Sequence, residues 1–146
     1  MDTSPASCEL CIGTGGDVVH HGGKYRVVLV DDPFHPGFCR VIWSEHVKEM
    51  TDLPPAERGE LMEVVWRVEA AVREVMEPDK VNLASLGNVT PHLHWHVIPR
   101  YADDAHFPAP VWAVEQRSTE AVVLAERKAL LPLLRAAIVR HIEQIN

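Results

Sequence analysis

At 146 residues the chain fits one domain with a single core. Apolar residues make up 47% and charged residues 24%, an ordinary balance for a globular protein, and no apolar run approaches the roughly 18 residues that a spanning helix needs. The formal charge of −7 disfavours nucleic acid and anionic membranes as partners, so a phosphorylated ligand would need local donors rather than a global field.

The start, Met1-Asp2-Thr3-Ser4-Pro5, has neither a basic stretch nor an apolar core. It does not read as a signal peptide, and a reducing cytoplasm is expected. Cys8-Glu9-Leu10-Cys11 is a CxxC pair in what reads as an irregular segment leading into Gly13-Thr14-Gly15-Gly16. A redox pair would follow a strand and open a helix, so metal binding is the better reading. Two thiolates are half of a tetrahedral zinc site. Cys39 reads as a buried core thiol.

In chain order, Asp17–His20 reads as a short strand and 21–24 as a turn. Tyr25–Val30 completes a hairpin. Residues 31–37 form a loop with two prolines and a glycine, and Phe38–Trp43 is a third strand. Leu53-Pro54-Pro55 opens a long helix with proline in its first turn. Leu61, Val64, Val65, Val68, Val72 and Val75 form its apolar stripe. The helix should end by Pro78. Val81–Leu86 is a fourth strand, followed by a turn at Gly87-Asn88-Val89-Thr90-Pro91.

Next comes His92-Leu93-His94-Trp95-His96-Val97-Ile98. As a strand, it places the three histidines on one face and Leu93, Trp95 and Val97 on the other. A solvent-facing polar strand is a poor account of such strict alternation. Two chemistries remain: a three-imidazole metal site, and nucleophilic catalysis by one imidazole with its neighbours assisting. Residues 101–117 look irregular. From Thr119 to about Ile145 a second helical pattern carries Val122, Val123, Leu130, Leu133, Leu134, Ile138 and Ile142, with Pro132 expected to kink or split it.

The expected architecture is α+β: a five-stranded, mainly antiparallel sheet, one long helix between strands three and four, and a C-terminal helix. One domain is expected over 1–146, with its core in about 8–105 and a helical extension over 118–146.

The run His92–Ile98 matches every position of the signature His-φ-His-φ-His-φ-φ, with φ apolar, and so the chain resembles the histidine triad family over roughly residues 8–105. It looks most like the bacterial branch often described as diadenosine tetraphosphate hydrolases. The resemblance implies a homodimer whose sheets join, no organic cofactor, and action on a purine nucleotide at the α-phosphate. His94 matches the nucleophile, which forms a nucleotidyl-histidine. His96 matches the residue that contacts the phosphate and assists the leaving group. Asn88 and Thr90 match polar turn residues that donate to phosphates, and Asn82 a polar residue near the ribose. In members with an N-terminal CxxC, the resemblance implies structural zinc on Cys8, Cys11, His46 and His92.

The chemistry fits. A neutral imidazole can form and then lose a bond to phosphorus near neutral pH. The alternatives are a zinc-dependent hydrolase with all three histidines on the metal, and a non-catalytic nucleotide-binding module. Against the first, the three alternate positions span about 13 Å.

His20, His21, His35, His106 and His141 carry no such support, and His35 reads as a solvated loop residue. Asp31 and Asp32 rank low as ribose ligands. Val27, Leu29 and Phe34 are candidates to hold the base. Arg100 reads either as a phosphate or partner contact or as a surface arginine. For Trp112, core packing is preferred to a substrate contact.

Overall fold

The computed structural model describes residues 4–144. Five strands, β1 (Asp17–His21), β2 (Tyr25–Leu29), β3 (Cys39–Trp43), β4 (Lys80–Ala84) and β5 (His94–Arg100), make one sheet in the order β1-β2-β3-β5-β4. Every neighbouring pair is antiparallel. The strand assignments from sequence hold to within a residue or two at most ends.

The ladder fixes which side chains share a face, because residues paired across strands point the same way. Ile42 pairs with His94, Arg40 with His96, Val28 with Arg40, and Asn82 with Ile98. These residues lie on one face with His94 and His96. The opposite face carries Val27, Leu29, Val41, Trp43 and Val97, and it packs against the long helix.

That helix, α2, runs Pro55–Met76, and its stripe of Leu61, Val64, Val65, Val68, Ala71 and Val72 is buried. Truncating Leu61 to Ala would cost roughly 2–5 kcal/mol. Glu77, at φ 46°, takes the left-handed conformation that closes the helix, and Pro78 prevents its continuation.

One expectation, at the N-terminus, needs correction, while the split expected at Pro132 is found. The N-terminal segment is not irregular: Cys8 caps a single helical turn, α1 (Glu9–Ile12), which contains Cys11. Together with Leu10 it packs on Val28 and Ile42, on the histidine face of the sheet. At the C-terminus, Pro132 splits the expected helix into α3 (Ala121–Ala129) and α4 (Leu131–Glu143). Proline lacks the N–H that helix interiors need but suits a first turn, where it sits here. Leu134, Ile138 and Ile142 are buried, with α4 packed on α2, whereas Val122 and Leu133 are exposed. No helix of the described residues is long and apolar enough to cross a membrane.

Candidate active site and metal centre

His94 and His96 rise from β5 on the open face of the sheet, both buried, with ring centroids 4.9 Å apart. The Nδ1 nitrogen of His94 lies 2.5 Å from the carbonyl oxygen of His92. A carbonyl can only accept, so Nδ1 carries the proton, and Nε2 of the neutral ring keeps its lone pair. Burial lowers the His94 pKa, the bond to the His92 carbonyl works against this, and the charge of Arg40 lowers it further. His96 is pushed down to about 3 by burial, with His94 and Arg40 adding to it. Both rings are therefore neutral near pH 7. His96 Nδ1 has no hydrogen-bond partner among the described residues.

The surroundings hold this geometry. Ser85 Oγ donates to the carbonyl of His94 at 2.7 Å. Phe38 meets the His96 ring edge-on at 5.5 Å. Trp112 stands against the other side of His96 at 5.0 Å and is 52% exposed, so it is not the core residue expected from the sequence.

The segment that carries Trp112 has no regular structure but is pinned by three arginines. Arg100 Nη2 donates to Ala109 O, Arg117 Nη1 to Asp104 O and Phe107 O, and Arg127 pairs with Asp103 while covering the Tyr101 ring. Arg100 itself is buried against Asp104, at 2.9 Å and 3.1 Å, and donates to Asn82 Oδ1. It is neither a surface residue nor a free phosphate contact.

His92 falls just before β5 rather than within it. Its neighbour Leu93 bonds to Val47 and Trp43 backbone groups in place of a continued ladder. The His92 ring turns away from His94. Its Nε2–H donates to the carbonyl of Trp43 at 2.6 Å, which leaves Nδ1 facing two thiols and a second imidazole. Nδ1 of His92 is 3.4 Å from Cys8 Sγ, 3.5 Å from Cys11 Sγ and 3.3 Å from His46 Nδ1, and Cys11 Sγ is 3.4 Å from His46 Nδ1. A tetrahedral zinc site with ordinary bond lengths has N···N edges of about 3.3 Å and S···N edges of about 3.5 Å. These four residues fit that geometry.

Among the described residues two side-chain groups could hold a metal ion, and His94 and His96 belong to neither. The second such group is His35, Asp104 and His106. His35 is buried, not solvated, because its Nε2 hydrogen-bonds His106 Nδ1 at 2.8 Å. The Asp104 carboxylate is already taken by Arg100 and by the backbone N–H groups of Tyr101, His106 and Phe107.

Of the other sequence candidates, Asn82 lies on the histidine face beyond His96, and Asn88 is exposed in the turn. Thr90 lines a cavity of about 80 Å³ with Cys8 and His46. Val27 and Leu29 point to the α2 side and cannot hold a base beside His94, while Phe34 is half-exposed near His106. Asp32 is used locally, accepting from the N–H groups of Phe34 and His35. Ser85 and Arg40 were missed. The period-two pattern of β3 could have found Arg40, since a core-facing Cys39, Val41 and Trp43 place it on the histidine side.

A family model of the HIT domain matches residues 15–103, well over half of the chain. This chain belongs to the HIT domain family. The match stops short of Cys8 and Cys11, so the two thiols of the Cys8–Cys11–His46–His92 cluster lie outside the matched region.

Two curated relatives of this HIT protein are an AP-4-A phosphorylase from Mycobacterium tuberculosis, 33% identical, and a bis(5'-nucleosyl)-tetraphosphatase [asymmetrical] from Schizosaccharomyces pombe, 31% identical. The alignments cover 63% and 61% of this chain but only 50% and 52% of the relatives, so the chain spans about half of their length. Among solved structures, a histidine triad protein from Bradyrhizobium japonicum is 28% identical with a TM-score of 0.67, over 86% of this chain and 90% of that one.

Proposed function

We propose that this HIT protein is a nucleotide hydrolase or transferase that works through a covalent nucleotidyl-His94 intermediate. Its substrates would be dinucleoside polyphosphates or nucleoside phosphoramidates, attacked at the α-phosphate. The observation that carries the reading is the bond from His94 Nδ1–H to the His92 carbonyl, which leaves Nε2 unprotonated on the open face of the sheet. In the first step the Nε2 lone pair forms a bond to phosphorus. The bond from phosphorus to the leaving group breaks, and the leaving group keeps its electron pair. In the second step water or another acceptor attacks phosphorus and gives up a proton to solvent, the N–P bond breaks, and the pair returns to Nε2. His96, held neutral beside His94, offers an N–H to the departing atom.

Asn82, Asn88 and Thr90 are proposed to bind the nucleotide. Asn82 Oδ1 accepts from Arg100, so the amide N–H groups of Asn82 are what it could offer a ligand. Zinc is proposed on Cys8, Cys11, His46 and His92. Its place is structural, since a closed set of four protein ligands leaves no position for substrate. The chain is proposed to act as a homodimer, with β4, an edge of the sheet, available for pairing.

The two curated relatives carry names for cleaving nucleotide polyphosphates with different acceptors, so the acceptor must be found by assay. A panel of adenylylated compounds is incubated with the protein, and the intact mass and peptide map are read. A nucleotidyl adduct on His94 is expected. Turnover without any adduct, and undiminished in a His94→Ala variant, overturns the reading.

A further inference from the structure

Arg40 is a cation that the chemistry above leaves unused. It sits in β3 directly opposite His96, so its side chain leaves the sheet on the catalytic face. Buried cations normally meet a carboxylate. Arg100 does so with Asp104, and Arg26 spends its donors on the carbonyls of Leu10, Gly13 and Thr14. Arg40 does neither. Its Nη1 donates to Gly15 O at 2.8 Å, its Nε is buried with no partner, and it has no ion pair among the described residues. Its charge is close enough to both imidazoles to lower the pKa of His94 and of His96.

We infer that Arg40 is a further catalytic residue, whose free N–H donors hold a non-bridging oxygen of the phosphate that His94 attacks. This rests on the proposed function. A guanidinium keeps its charge at any working pH, and its planar fork matches phosphate oxygens. The bond to Gly15 O fixes one arm of the fork, and the β3 backbone fixes its base, so the group is aimed before substrate arrives. In a chain of net charge −7, Arg40 is the local donor that an anionic substrate needs. As the bond from Nε2 to phosphorus forms and the bond to the leaving group breaks, negative charge on the non-bridging oxygens is met by a cation already in place. Arg40 itself makes and breaks no covalent bond.

The competing account is that Arg40 merely ties down the Gly15 loop. The zinc-loaded wild type is therefore compared with Arg40→Met and Arg40→Lys. Calorimetric affinities are measured for adenosine monophosphate and for adenosine, together with the thermal midpoint. Arg40→Met should weaken the monophosphate by about 10- to 100-fold, the effect of a lost charged hydrogen bond, while adenosine shifts by less than about twofold. Arg40→Lys keeps a point charge without the fork and should fall between, so it carries the test if the methionine variant does not fold. Equal losses for both ligands, or no loss for either, overturn the role of Arg40. A wild type that binds neither ligand overturns the nucleotide reading beneath it as well.

Discussion

His94 donates its Nδ1 proton to the backbone carbonyl of His92, two residues back in the chain, at 2.5 Å. The two histidines face different chemistry. The ring of His92 is fixed by the carbonyl of Trp43 and points into a Cys8–Cys11–His46 cluster, while its carbonyl sets the tautomer of His94. The proposed metal centre and the proposed nucleophile are thus joined through one residue. Whatever holds the His92 ring also holds the carbonyl that orients His94.

Zinc removal should therefore act on order before it acts on chemistry. The protein as isolated is expected to hold one zinc per chain by elemental analysis. Cys11→Ser should lose it, and the thermal midpoint should fall, because metal affinity is folding free energy in such sites, on the order of 10 kcal/mol in small zinc domains. Under chelator, activity should decline in step with the near-ultraviolet dichroism of the tryptophans. Instant loss of activity with an unchanged midpoint would favour a catalytic metal instead.

Asp104 is the hub of the segment that carries Trp112. Its carboxylate is buried, held well below the usual carboxylate range by Arg100 and three backbone N–H groups, although burial alone would raise it. Asp104→Asn keeps the shape but leaves Arg100 buried and unpaired, which should cost about 3–5 kcal/mol in urea unfolding. Replacing both partners with apolar residues should cost much less than the single change, because no buried charge remains. A single variant within 1 kcal/mol of wild type would contradict the pairing.

His96 predicts a pH dependence of stability. Its folded pKa of about 3 lies below the ordinary 6.5. Between these values the unfolded chain holds more protons than the folded one. The contribution is intact above about pH 6.5 and is lost as pH falls toward 3. Wild type should lose up to about 1.4 kcal/mol per pH unit more than His96→Asn inside that window. Urea unfolding at pH 7, 6 and 5 measures the difference, and parallel curves for the two proteins would contradict it.

Much of this was legible in the sequence, and for identifiable reasons. The alternation at 92–97 and the stripe from Leu61 to Val72 are local periodicities, and a sheet and a helix each need only one. Cys8, Cys11, His46 and His92, which the structure brings together, were named from the family resemblance, since the CxxC pair by itself says only that two further ligands would come from elsewhere. What failed were properties that depend on remote partners. Arg100 and His35 look like surface residues until Asp104 and His106 are placed against them. Trp112 looked like core because nothing local reveals that three arginines hold its segment over His96. The departure of His92 from β5 was hidden as well, since its periodicity continues through Leu93 while its backbone turns to Val47 and Trp43.

The central claim is that His94 Nε2 is the nucleophile. Its most direct test is mass spectrometry of the zinc-loaded protein quenched during turnover of an adenylylated substrate. The prediction is a nucleotidyl adduct, mapped to His94, that forms and decays at rates consistent with turnover and is absent from a folded, zinc-replete His94→Ala variant without turnover. Normal turnover in that variant, or an adduct mapped to another residue, would contradict the account.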